Sequence, residues 1–253
     1  MNNVLVTGAS GLIGGILNFK LTDHNLFGLD IKECDYKNFE ISNISDSKKL
    51  KTIMSKNKID TVVHLAGNAS VNANWDSLSE NNFTGTLKVF NACQETKVKK
   101  IIFASSNHAV GLFENHSPYK EIIAGDYKKV PKKYSLITPN CDVRPDSLYG
   151  VSKAYGENLG RFFYENYNIK IACLRIGSVI PNDNPKVKNS NRFYSTWCSH
   201  EDIAGLVDAC IKSNNVEYDI FYGVSDNDWK IWDISNAEKI LSFKPTSNSE
   251  TYR

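Results

Sequence analysis

Val4-Leu5-Val6-Thr7-Gly8-Ala9-Ser10-Gly11-Leu12-Ile13-Gly14 decides how this chain folds. A β-branched apolar run gives way to glycines at positions 8, 11 and 14, the pattern of a strand turning sharply into a helix. Such glycines allow the tight turn, bring peptide N–H groups against a phosphate and seat the helix close to its sheet. Ile13, Ile16, Leu17 and Leu21 then recur at helical spacing. The stretch predicts a seat for a dinucleotide's pyrophosphate, lined by Gly8, Ser10, Gly11, Leu12, Ile13 and Gly14.

The next apolar run, Leu26 to Leu29, ends in Asp30, about 20 residues beyond the glycines, where such folds place an acidic residue. A carboxylate there accepts hydrogen bonds from the adenosine ribose and repels a 2′-phosphate, which favours NAD over NADP. Lys32, two residues on, softens that preference.

Further apolar runs at Thr61 to Leu65, Ile101 to Ala104 and Ile169 to Leu174 alternate with helical patterns over residues 46–57, 76–97 and 146–167. This alternation predicts an α/β architecture, a Rossmann-type doubly wound parallel sheet with helices on both faces. Between Leu112 and Val143 the pattern dissolves into tyrosine, lysine, proline and glycine, which reads as a long surface loop (112–143) or flap. An irregular segment, Pro181 to Ser195, precedes a helix near 200–212, a strand near 218–223 and a last helix near 233–241. Residues 1–253 are expected to form one domain, with 178–219 and 226–253 as a small C-terminal substrate-covering lobe. The polar end, Thr246 to Arg253, is expected to fray.

With 41% apolar and 23% charged residues the composition is that of an ordinary soluble protein. A net charge of +2 offers no basic stripe for nucleic acid, and Lys97, Lys99 and Lys100 read as a solvated helix end. The cysteines, Cys34, Cys93, Cys141, Cys173, Cys198 and Cys210, contain no C-x-x-C pair, so neither a metal site nor a disulfide framework is expected. Residues 1–15 lack a leader pattern, and no apolar run approaches the roughly 20 residues that span a bilayer. A cytoplasmic protein without membrane or nucleic-acid partners is expected.

Two groups carry chemistry. Tyr149 and Lys153 are four apart on a helix entered through Arg144-Pro145-Asp146, so both share one face. A phenol titrates near 10 in water. A lysine ammonium at about 4 Å with an effective dielectric of about 20 is worth about 4 kcal/mol, enough to lower that pKa by up to about three. Ser105-Ser106-Asn107-His108 emerges at the carboxyl end of a central strand, the edge where open α/β sheets bind ligands. A serine hydroxyl there can donate to a reacting oxygen while the tyrosine moves a proton.

The glycine motif, Asp30, His64-Leu65-Ala66-Gly67, Asn82-Phe83-Thr84-Gly85-Thr86, Ser106 and the Tyr149/Lys153 pair together resemble the extended short-chain dehydrogenase/reductases over nearly the whole chain. Phe103-Ala104-Ser105-Ser106-Asn107-His108, Arg144 to Lys153 and Ser195-Thr196-Trp197-Cys198-Ser199-His200 look specifically like the bacterial uronate dehydrogenases; the first two are also similar to a haloarchaeal NAD-dependent glucose-6-phosphate dehydrogenase group. The resemblance implies oxidation by NAD at C1 of a cyclic uronic acid to an aldarolactone. It implies Tyr149 as base, Lys153 lowering its pKa and holding the nicotinamide ribose, and Ser106 bonding the reacting oxygen. Ser70, Asn107, His108 and Ser178 would bind sugar hydroxyls, and Arg192 the substrate carboxylate through its planar fork. Glu40, Ile41, Leu65, Ala66, Gly67, Asn82 and Ile176 would complete the cofactor site, and a homodimer or higher homo-oligomer would be usual.

The chain departs from that pattern in three ways. Residues 112–143 are longer than the corresponding loop, Glu40 stands where an aspartate is common, and the bacterial tail beyond the last helix has no counterpart. Lys186 and Lys188 keep a sugar phosphate open as substrate. A nucleotide-sugar epimerase or dehydratase with retained cofactor is disfavoured by the short remainder after Leu174, and a non-catalytic binder by the intact Ser/Tyr/Lys set.

Overall fold

The computed structural model describes all 253 residues. Seven parallel strands lie in the order β3-β2-β1-β4-β5-β6-β7: β1 (Asn3–Thr7), β2 (Asn25–Asp30), β3 (Asn38–Ile41), β4 (Thr61–His64), β5 (Lys100–Ser106), β6 (Lys170–Ile176) and β7 (Tyr218–Gly223). Val4 stands beside Leu26 on one side and Thr61 on the other, so strand order reverses on either side of β1. A crevice therefore opens at the carboxyl ends of β1 and β4, the switch point at which such sheets bind ligands.

Side-chain alternation along the strands sorts the core into two layers. Val4 and Val6 face α1 (Leu12–Lys20) and α8 (His200–Lys212), packing with Ile16, Leu17, Leu206, Val207 and Cys210. Leu5 faces the opposite layer, where α2 (Ser47–Lys56), α4 (Gly85–Glu95) and α6 (Leu148–Tyr167) contribute Leu50, Val89, Phe90 and Phe163. Side-chain caps start three of these helices: Asp46 accepts from the Lys49 amide, Ser147 from Gly150 and Ser199 from Asp202. No helix is long and apolar enough to cross a membrane.

Three expectations need correction. The sequence reading passed over β3, because Asn38-Phe39-Glu40-Ile41 is a short, polar, half-exposed edge strand without an apolar run. The helix expected over 76–97 is present: α3 (Trp75–Leu78) runs on through a π-helical turn, Ser79–Thr84, into α4. Residues 112–143 lie on the surface yet are not a structureless loop. They hold α5 (Tyr119–Ala124) and 3₁₀ turns, and with β7 and the segment after it they build a third apolar cluster around Val110, Ile122, Ile137, Tyr222, Ile231 and Trp232. The end of the chain does not fray, since Ser249 is buried and donates to the Tyr194 carbonyl at 2.6 Å while Tyr252 packs on Trp197.

Of residues 178–219, α8 covers the sheet beside α1 rather than standing apart. What overhangs the carboxyl edge is the 3₁₀ turn Pro185–Lys188 and α7 (Asn191–Thr196). The remainder near the C-terminus holds α9 (Ser235–Leu241), whose Ala237 and Leu241 join the core of the α1/α8 layer.

Candidate active site

The glycine turn builds one end of a cleft of about 810 Å³, toward the upper end of the roughly 300–1,000 Å³ common for small-molecule and cofactor sites. Gly8 has φ +77°, and a β-carbon on it would stand 2.7 Å from the Ala66 amide nitrogen. Only glycine fits, because the turn after β1 is pressed against the Leu65-Ala66-Gly67 turn after β4. A β-carbon on Gly14 would meet the Ala9 and Gly8 carbonyls at 2.5 and 2.6 Å, so α1 starts directly on the loop that faces a phosphate.

Asp30, at the end of β2, accepts from the amides of Ser10 (3.0 Å), Ile31 (2.7 Å) and Lys32 (3.2 Å). It therefore ties the second strand to the glycine turn besides lining the cleft. Ser10, Gly11, Leu12, Ile13, Leu65, Ala66, Gly67 and Ile176 line the same cavity.

At the other end, the strand β5 delivers Ser106, Asn107 and His108, and the first turns of α6 deliver Tyr149 and Lys153. The Ser106 hydroxyl accepts from the His108 amide and donates to Asn107 Oδ1, both at 3.2 Å. Asn107 is one of the residues around this cleft, and its Nδ2 is buried without a hydrogen-bond partner. His108 Nδ1 meets Asp146 Oδ2 at 2.7 Å, and its ring lies edge-on to Tyr149 with centroids 5.8 Å apart. Burial pushes the Asp146 carboxyl up, but the hydrogen bond and charge of His108 win and hold it below its usual value, with help from Ser147 and the Arg192 charge.

Lys153 is buried, donates to the Ala104 carbonyl at 2.8 Å and sits 5.4 Å from the Tyr149 ring centroid. Burial lowers its pKa to about 8. The expectation that Lys153 depresses the tyrosine is not met: burial raises the Tyr149 phenol, with Asp146 adding to the rise and the Ser106 hydroxyl pulling only partly the other way. The physical reason is that Nζ is turned toward the β5 backbone, while desolvation of the phenol acts in full.

The remaining candidates divide. Ser178 lines the cleft, its hydroxyl 2.7 Å from that of Thr196. Asn82 does not line it; buried in the π-helical turn, it accepts from the Asn68 amide and donates to the Asn68 carbonyl and the Ser152 hydroxyl, fixing the turn that carries Gly67. Ser70 is spent within its own turn, bonded by the Asn72 amide. Glu40 pairs with Lys49 at 2.7 Å and Ile41 is exposed, so neither enters the cavity. The residues that do so after β3 are Ser42, Asn43 and Ile44. The rule that ligands gather at carboxyl ends of strands points to them once β3 is known. Arg192 lies behind the wall, its fork filled by both carboxylate oxygens of Glu114 at 2.7 and 2.8 Å. Lys188 and Phe193 also line the cleft.

This geometry agrees with a match of residues 4–201 to the family model described as the NAD dependent epimerase/dehydratase family. The chain belongs to that family. A member from Haloferax volcanii, an NAD-dependent glucose-6-phosphate dehydrogenase, is 32% identical, the match covering 98% of this chain and 95% of that protein. A uronate dehydrogenase from Pseudomonas syringae pv. tomato is 30% identical over 100% of this chain and 84% of its own length. Among solved structures, uronate dehydrogenase from Agrobacterium tumefaciens, a mutant complexed with NAD, matches with a TM-score of 0.81 at 29% identity, covering 100% of this chain and 88% of that one. This family member takes NAD as its cofactor and is an NAD-dependent enzyme of the sugar dehydrogenase and epimerase type.

Proposed function

We propose that this family member is an NAD-dependent dehydrogenase that oxidises the anomeric hydroxyl of a cyclic sugar to a lactone. The observation that carries the reading is the convergence of Ser106, Tyr149 and Lys153 on one wall of the cleft whose far end is the glycine turn. Bound NAD would supply the hydride acceptor for C1. The protein's own residues do the rest. Tyr149 removes the proton of the C1 hydroxyl, and Ser106 donates to the same oxygen as its bond to carbon becomes a carbonyl. Lys153, charged below about pH 8 and anchored to the Ala104 carbonyl, would hold the nicotinamide ribose on the same wall. Asn107 and Ser178 are poised to bind ring hydroxyls, with His108 held in place by Asp146.

A uronic acid as the sugar rests on the likeness to uronate dehydrogenases, and for Arg192 to read its carboxylate the fork would have to be released from Glu114. A sugar phosphate is favoured by Lys188, a cleft-lining cation that forms no ion pair, and by the likeness to the glucose-6-phosphate enzyme. Initial rates of NADH formation with galacturonate, glucuronate, glucose 6-phosphate, glucose and galactose test the reading. NADH from at least one sugar, with lactone as product, is the expected result. Tightly retained NAD without net NADH from any of them overturns it in favour of an epimerase or dehydratase.

A further inference from the structure

Arg192, at the start of α7, precedes the cleft-lining Phe193, and its charge reaches Asp146, the partner of His108. Its guanidinium is already taken. Nε and Nη2 bond the two Glu114 oxygens in a parallel fork, with the side chains only 23% and 12% exposed. Glu114 comes from the 3₁₀ segment after β5, at the start of the inserted region.

That region is fastened to α7 at more than one point. Asn191 Nδ2 donates to the Ala124 carbonyl at 3.1 Å, and the Arg253 guanidinium lies over both the Tyr127 ring and the Tyr194 ring, 4.9 and 4.2 Å from their centroids. Tyr127 also stacks on Trp229 at 4.2 Å. Glu114 is thus delivered to Arg192 by a docked segment with its own apolar cluster, not by a loose side chain.

We propose that Glu114 is a specificity-determining residue: it fills the Arg192 fork with an internal carboxylate, so that the cleft takes an aldose bearing no carboxylate. The inference rests on the sugar-oxidation reading and narrows its substrate. Arg192 and Glu114 stand just behind the wall that Phe193 and His108 give the cleft, so a sugar acid reaching for that guanidinium would have to displace Glu114, stranding a largely buried carboxylate without its cation. Hydroxyl groups need no such displacement, because the Ser106 and Ser178 hydroxyls line the cleft directly, and the unpaired cation there, Lys188, stands apart from the Arg192 fork.

The test compares glucose with glucuronate and galactose with galacturonate. In the wild-type protein with NAD, kcat/KM for each neutral aldose is expected to exceed that for its uronate by about tenfold or more. Glu114→Gln removes the internal charge and keeps the shape, and should move that ratio toward the uronate by about tenfold; adding Arg192→Gln to it should move the ratio back. Wild-type preference for the uronates overturns the proposal, and needs no variant to be read. An unchanged ratio in Glu114→Gln overturns it too, provided its melting temperature and NADH affinity match the wild type. Should no sugar yield NADH, the oxidation reading falls, and the role of Glu114 is read by calorimetry with NADH present: glucuronate binding gained in Glu114→Gln supports it, and no gain overturns it.

Discussion

Lys153 Nζ points at the Ala104 carbonyl, 2.8 Å away, while standing 5.4 Å from the centre of the Tyr149 ring one helical turn earlier. The lysine is thereby fixed against the catalytic strand, and the phenol is held between it and His108. Replacing Tyr149 by Phe removes the proposed proton acceptor and little else. Turnover should fall by about 10²–10⁴-fold, the range for a positioned acid–base group. NAD affinity, measured by fluorescence titration, should change by less than about threefold, since the glycine turn that seats the dinucleotide is untouched.

The same lysine leaves a thermodynamic signature. Burial lowers its folded pKa to about 8 from the ordinary 10.5. Below pH 8 it is charged in both folded and unfolded chains, and the folded state carries the full desolvation cost. Between pH 8 and 10.5 the unfolded chain holds a proton that the folded one has released, so this group makes stability rise with pH, by about 3 kcal/mol in all. Urea unfolding at pH 7.5 and pH 10, wild type against Lys153→Met, checks this. The rise attributable to Lys153 should vanish in the variant, while activity is lost at both pH values.

The sheet, the switch-point crevice and the Ser106/Tyr149/Lys153 wall were legible because each is local: glycine spacing, strand-end polarity and an i,i+4 pair are written in contiguous residues. What escaped depends on partners distant in sequence. Glu40 pairs with Lys49, and Arg192 with Glu114, 78 positions away, and the residues flanking either one give no sign of its partner. The 112–143 region lacks periodicity because its apolar residues, Ile122 and Ile137 among them, pack against Tyr222, Ile231 and Trp232 rather than along one helix face. The phenol's raised pKa was missed for a related reason: spacing sets which residues share a face but not where the lysine ammonium turns.

His64 gives an acid-side prediction. Its ring nitrogens sit 2.7 Å from the Thr7 hydroxyl and 3.2 Å from that of Thr86, sealed between Phe90 and Phe103. Burial, with the Lys153 charge behind it, lowers its pKa to about 3. The unfolded chain takes up a proton below pH 6.5 that the folded chain refuses until about pH 3. Stability is therefore lost as pH falls through that window, by about 5 kcal/mol from this residue. His64→Asn should flatten the dependence of unfolding free energy on pH between 6.5 and 4; an unchanged slope would assign acid lability elsewhere.

Asp30 combines two tasks, holding the Ser10, Ile31 and Lys32 amides and presenting charge to the cleft. Asp30→Ser keeps a short acceptor and removes the charge that repels a 2′-phosphate, with Lys32 already lining the cavity. The ratio of kcat/KM for NAD to that for NADP should drop by about tenfold or more, mostly through KM. A ratio that stays constant would mean that discrimination comes from the Ser42-Asn43-Ile44 turn instead.

Arg175 and Glu157 form a fully buried pair, Nε and Nη2 each 2.9 Å from a carboxylate oxygen. Glu157 also accepts from the Ser105 hydroxyl at 2.6 Å, and Arg175 Nη1 reaches the Pro139 carbonyl and the Tyr222 hydroxyl, both at 3.2 Å. The pair therefore fastens the residue before Ser106 to the inserted region. Glu157→Gln leaves a buried guanidinium without its counter-charge, and should cost about 3–5 kcal/mol in denaturant unfolding. Glu157→Leu with Arg175→Met removes both charges, and should cost clearly less than either single change, because no uncompensated ion remains. If the double variant is instead the least stable of the set, the polar bonds to Ser105, Pro139 and Tyr222 outweigh the ion pair, and the junction between insert and sheet is held by hydrogen bonding rather than by charge.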